Sequence, residues 1–204
     1  IDANRRAIAA MPHAMPCGHY AQWLEYGYLQ KKDMTSAKKM LDACRAAEPS
    51  SDGFTLMTTM FVASGGPFDR EAKNPYAAAL DAFHRRDLDA LNTAASVWKP
   101  SDDKRAAARE RSAIIRQQID AMRLSLEGKH DEAIATLRKA AESERAMPLE
   151  FGPPYIDKPT LELLGDELMA AGRAAEAVQA YREALARTPG RTLTAEGLQR
   201  AQSR

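Results

Sequence analysis

The chain has 204 residues, 45% apolar and 28% charged, and its 29 Lys and Arg nearly cancel its 28 Asp and Glu. That length and mixture suit one or two globular domains and weigh against disorder. The charge balances in each half, 12 cations to 11 acids up to residue 100 and 17 to 17 after it, which excludes a basic face for nucleic acid. The longest apolar run, Leu56 to Ala63, is broken by two threonines and falls well short of the roughly 20 residues that span a bilayer. Alanine occurs 39 times, against 3 valines and 7 isoleucines. A sheet needs β-branched and aromatic residues, whereas Ala, Leu, Glu, Arg and Lys lose least on entering a helix, so the composition predicts an all-α chain.

In chain order, residues 2 to 10 read as a helix with nothing before it to pack on, as expected of a processed chain or the later piece of a longer one. WLEYGYLQKKDMTSAKKMLDACRAAEP follows as a helical hairpin, with Leu24, Tyr28, Ala37, Leu41 and Cys44 at core spacing. FTLMTTMFVA predicts a buried helix, GGPFDREAKNP a loop, and residues 76 to 98 a hairpin turning near Arg86 and Asp87. Residues 102 to 127 predict a long helix striped by Ile115, Ile119, Met122 and Leu126. Its sequel, RLSLEGKHDEAIATLRKAAES, carries Leu124, Gly128, Ala133, Leu137 and Ala140 at the spacing shown by Leu168, Gly172, Ala177, Tyr181 and Ala184 some 44 residues on. The two copies share a Gly, three residues, then Glu-Ala. The later copy, LELLGDELMAAGRAAEAVQAYREALARTPG, has Leu161, Leu164, Gly165 and Leu168 on one face of a helix stopping at Gly172. Its second helix ends before Pro189. Gly165 and Ala177 let the pair approach closely, Tyr181 fills the gap, and Ala184 makes room for the next hairpin.

These residues resemble the tetratricopeptide repeat (TPR), most closely over Lys158 to Arg191, with Leu161 in place of the usual large aromatic. The resemblance implies an α-solenoid of stacked antiparallel hairpins wound as a right-handed superhelix, occupying the whole chain. Its units run from a partial helix and linker (1–17) through a hairpin (18–51), divergent helices (52–101) and a hairpin with a long first helix (102–147). A Pro-rich insert (148–157), the best repeat (158–191) and a capping helix with a polar outer face (192–204) complete it. A strong final repeat after an EFGPP insert, with a WLEYGYLQ repeat earlier, is similar to the C-terminal part of bacterial TPR proteins of uncertain role.

The resemblance also implies a non-enzymatic scaffold whose first helices line a concave face that binds a peptide or protein segment. The residues expected there are Gln22, Trp23, Tyr26 and Gln30, then Gln118 and Met122, then Glu162, Asp166 and Met169. Trp23 and Tyr26 could equally pack on the helix of residues 2 to 10. TPR domains that grip acidic tails use a ring of Lys and Asn, where this chain has His19, Gln22 and Tyr26. No cofactor is implied. GxSxG, HExxH and a phosphate-binding loop are absent from the sequence, and the acid pairs Asp102-Asp103 and Asp131-Glu132 fall at helix starts, where they suit the macrodipole.

The unusual segment is MPHAMPCGH. Two prolines keep it out of helix and space His13, Met15, Cys17 and His19 at alternate positions. Three readings stand: an inter-helix linker, a soft-metal site for copper or zinc in a metal-handling or redox protein, or a disulfide from Cys17 to Cys44, brought near by antiparallel packing and fitting an exported protein. The insert Glu150 to Pro159 is expected to be extended and to brace the last hairpin through Phe151 and Tyr155. A docking arm of a larger enzyme is a further alternative that rests on sequence before Ile1.

Overall fold

Helix-favouring composition and three-residue punctuation together produce this fold. The computed structural model describes residues 1–10, 15–148 and 153–204, and among them eleven α-helices and no strand. They are α1 (Asp2–Ala9), α2 (His19–Gln30), α3 (Met34–Ala47), α4 (Asp52–Ala63), α5 (Pro75–His84), α6 (Leu88–Val97), α7 (Ala106–Leu126), α8 (His130–Ala146), α9 (Thr160–Ala170), α10 (Ala174–Arg187) and α11 (Thr192–Gln202). Four antiparallel hairpins, α2–α3, α5–α6, α7–α8 and α9–α10, stack in sequence, with α4 alone between the first two. The chain is thus an all-α helical-repeat solenoid.

All four hairpin turns have one geometry. The middle residue is left-handed: Lys32 (φ 58), Arg86 (φ 55), Gly128 (φ 78) and Gly172 (φ 73). The next N–H, from Asp33, Asp87, Lys129 or Arg173, reaches back five residues to the carbonyl of Tyr28, Ala82, Leu124 or Leu168. That is the Schellman closure, which satisfies carbonyls a helix end leaves orphaned. Two turns accomplish it without glycine and compensate at the following helix, where Asp33 and Asp87 cap the N–H groups of Ser36 and Ala90.

Tyr181 fills the expected gap and a second one. Its ring would lie 2.5 Å from a Cβ added at Gly165 of α9 and 2.6 Å from one at Gly197 of α11. Gly197 stands five residues into α11, as Gly165 does into α9, and α11 packs on α9 and α10. At the end of the array, α11 takes the place that the first helix of a further repeat would hold.

Apolar side chains form two clusters that meet at α4. One gathers Leu24, Tyr28, Leu41, Phe54, Met57 and Phe61 with the Cys17–Cys44 disulfide; the other runs from Val62 to Ala201. The N-terminal hairpin therefore shares its core with α4 rather than with the later hairpins. Its far end nevertheless meets the other end of the chain: Gln30 accepts the Thr192 N–H through Oε1 (2.9 Å), Thr192 Oγ1 donates to the Gln30 carbonyl (2.5 Å), and Lys32 pairs with Glu196.

Candidate functional site

The first helices turn polar residues inward, as the repeat geometry requires, but the space they face is filled. Residues 153 to 159 run into it, and Ile156, Asp157 and Lys158 are buried there. Gln118 Nε2 donates to the Lys158 carbonyl (2.9 Å) and Thr160 Oγ1 (2.8 Å), while Tyr76 Oη donates to Gln118 Oε1. Arg191 clamps Glu162 with two N–H groups, Nε to Oε2 at 2.6 Å and Nη2 to Oε1 at 3.1 Å, and donates to the Asp157 carbonyl (3.1 Å). Lys158 Nζ lies between Glu162 (3.0 Å) and Asp166 (2.6 Å). Burial alone would raise the Glu162 carboxyl, but Lys158 and Arg191 outweigh it and hold it well below the usual carboxylate range. Burial pushes Asp157 up to about 6, against the opposing pull of Arg111 and Arg191.

Three residues expected along an open concave face, Gln118, Met122 and Glu162, are therefore sealed, each no more than 1% exposed. The insert and Arg191 supply the partners that a ligand would have supplied. Asp166 accepts from Tyr181 Oη (2.7 Å) as well as Lys158. Tyr26 lies close enough to Arg191 to feel its charge, and Gln30 makes the end-to-end contact above. Met169 borders a shallow hollow of about 560 Å³ beside Arg200 and Ser203, at the C-terminal end.

Gln22 and Trp23 lie elsewhere, on a recess of about 210 Å³ that shares Leu56, Arg111 and Tyr155 with a cleft of about 760 Å³. The N-terminal halves of α2, α4 and α7 and the stretch Pro153-Pro154-Tyr155 form their walls. Trp23 and Leu56 face Tyr155 across the recess, with Arg111 at the junction and Trp98 in the larger part. The His19 ring packs on Trp23 (centroids 4.5 Å apart), and Gln22 Nε2 donates to the Cys17 carbonyl (2.8 Å), which fixes the start of α2. Arg111 stacks on the Tyr155 ring (5.5 Å) and donates to Asp157 (3.2 Å). Tyr155, expected to be buried in bracing the last hairpin, is instead half-buried against Arg111 of α7 with its ring on a cleft wall; Phe151 and Glu150 lie outside the described residues. Tyr155, Trp98 and Arg111 were not legible as cleft residues. The adjacent prolines before Tyr155 were the available signal, since they keep that stretch extended and out of helix.

Of the soft-metal set, His13 lies outside the described residues and Met15 is 61% exposed. Cys17 is bridged to Cys44, their Cα atoms 4.7 Å apart, and a bridged sulfur has no thiolate with which to bind a metal. Of the three readings of the segment, the disulfide is the one formed. Among the described residues no group of three or more His, Cys, Asp or Glu is placed to hold a metal ion, and no helix is long and apolar enough to cross a membrane.

Comparison with known families finds a tetratricopeptide repeat at residues 159–191. Neither curated proteins nor solved structures give a match to the chain. The matched residues are α9, α10 and their turn, with Gly165, Gly172, Ala177 and Tyr181 in the packing roles described, and through this repeat the chain is related to the tetratricopeptide-repeat family.

Proposed function

We propose that the protein is a non-enzymatic interaction scaffold that takes an extended peptide or protein segment in the cleft between α2, α4, α7 and the insert. The tetratricopeptide repeat at residues 159–191 supports the class, since such repeats commonly serve as protein-binding scaffolds. One observation carries the location: the inward faces of the first helices are filled by the chain's own insert, while Trp23, Leu56, Tyr155 and Trp98 stand along a cleft beside them. Aromatic and aliphatic anchors with a few orienting polar groups, here Gln22 and Arg111, are the mixture that interfaces use. Arg111 is held by Asp157 and Tyr155, so the cleft is preorganised and loses little side-chain entropy on binding.

Selection of a displayed random-peptide library on the purified protein, followed by affinities of the recovered peptides for variants, tests this reading. Trp23→Ala and Leu56→Arg are expected to weaken binding at least about tenfold, which is about 1.4 kcal/mol. Peptides that bind both variants as well as the wild type would remove the cleft assignment.

A further inference from the structure

Glu25 lies in the middle of α2, completely buried, and neither of its carboxyl oxygens has a hydrogen-bond partner. The charged group that acts on it is Asp157 of the insert, itself buried with Oδ1 unpartnered. The surrounding charges are otherwise matched. Arg111 of α7 meets Asp157, Arg191 meets Glu162, and Lys158 meets Glu162 and Asp166, so three cations face three carboxylates. Glu144, at the end of α8, accepts the Thr160 N–H (2.8 Å) close to Arg187. On the other elements packed against α2, Arg5 of α1 is bonded to Tyr28, Asp33 caps α3, and Asp52 of α4 is exposed. Glu25 is thus a carboxyl with no counter-ion, at the place where the N-terminal hairpin meets the insert.

A buried carboxylate without a partner is costly enough that it takes a proton instead. We propose that closure of the N-terminal hairpin over the insert binds a proton at Glu25, so that α2 loosens from the array interior as the pH rises. The contacts at risk are those that α2 makes with the far end of the chain, Tyr26 with Arg191 and Gln30 with Thr192. Burial, with Asp157 second, raises the Glu25 carboxyl well above its ordinary range. A raised acid favours the closed state below its unfolded value and loses that contribution as pH climbs through the folded one. The apolar cluster that α2 and α3 share with α4 is distinct from the main one, so α2 and α3 can loosen while still packed on α4. None of this depends on what the cleft binds.

Hydrogen exchange of wild type and Glu25→Gln between pH 5.5 and 8, corrected for the intrinsic pH dependence of exchange, tests the proposal. Glutamine keeps the shape and removes the titration. In the wild type, protection of α2 relative to α9 is expected to fall on the order of tenfold or more over that range, and in Glu25→Gln only by the part that Asp157, raised to about 6, contributes below pH 7. Wild-type protection that is flat above pH 7, or a loss above pH 7 that Glu25→Gln shares, overturns it. Should the variant fail to fold, carbon NMR of the wild-type glutamate carboxyls, with the Glu25 signal assigned, decides: a Glu25 carboxyl that remains protonated at pH 7 supports the proposal, and one that titrates in the ordinary range overturns it.

Discussion

Arg191 grips Glu162 with two parallel N–H groups, both side chains almost wholly removed from solvent, 29 residues apart in sequence and at opposite ends of the repeat at 159–191. The pair closes the last hairpin onto the filled interior and ties the insert in through the Asp157 carbonyl. Removing one partner of a buried pair costs about 3–5 kcal/mol where the other charge is left unmatched. Lys158 stays beside Glu162 when Arg191 is removed, so Arg191→Ala is expected to fall at or below the lower end of that range in urea unfolding. Glu162 is held below its usual range, so its contribution is present above the unfolded carboxylate value and is lost as pH falls. Arg191→Ala should flatten the acid limb of the stability profile; an unchanged limb would show that other carboxylates set it.

Gly197 is expected to be as intolerant of a side chain as Gly165. Alanine in mid-helix is intrinsically favoured by about 1 kcal/mol, yet a Cβ at either position strikes the Tyr181 ring, which Asp166 holds by its hydroxyl. Net destabilisation of about 1–3 kcal/mol follows from overpacking. Thermal or urea unfolding of Gly197→Ala checks it, and a stabilised variant would show that α11 does not pack as the first helix of a further repeat.

Arg86 occupies a left-handed turn position that glycine fills in two of the four hairpins. Arg86→Gly is expected to raise stability by up to about 1 kcal/mol by relieving the Cβ against the following carbonyl. Lys32→Gly should gain less, since it also removes the contact with Glu196. Equal gains in urea midpoint would mean that this ion pair contributes nothing.

The Cys17–Cys44 bridge closes a loop with a sequence separation of 27. Chain entropy assigns such a loop about 3–4 kcal/mol, so Cys17→Ala, Cys44→Ala should unfold at correspondingly lower denaturant, with the N-terminal core affected most. Thiol titration of unreduced, denatured protein should find none. Two free thiols would contradict the bridge and the oxidising compartment it fits.

What the sequence discloses follows from how local each signal is. Helix content, the turn at Arg86 and Asp87, the Gly165–Tyr181 contact and the repeat at 158 to 191 rest on neighbours a few turns apart, and all are found. The partnership of Cys17 with Cys44 is one outcome of antiparallel packing, and spacing alone left it among three. Reading Gln118 and Glu162 as an open face assumed that the array stays open. Nothing near either residue reports that residues 153 to 159 fill the interior, or that Gln30 meets Thr192 across 162 positions. Gly197 was overlooked for a related reason: the polar surface of TLTAEGLQRAQ reads as a cap unless Tyr181 is known to reach it.

Closure of the array end to end is the structural claim on which the rest depends, since it seals the interior faces of the first helices from a ligand. Zero-length carbodiimide coupling joins a lysine to a carboxylate only where the two touch, and Lys32 touches Glu196. Peptide mapping of the monomeric, coupled protein is predicted to recover a 32-to-196 link alongside local links such as Lys38 to Asp42. Recovery of the local links with no trace of the 32-to-196 link would contradict the closed array.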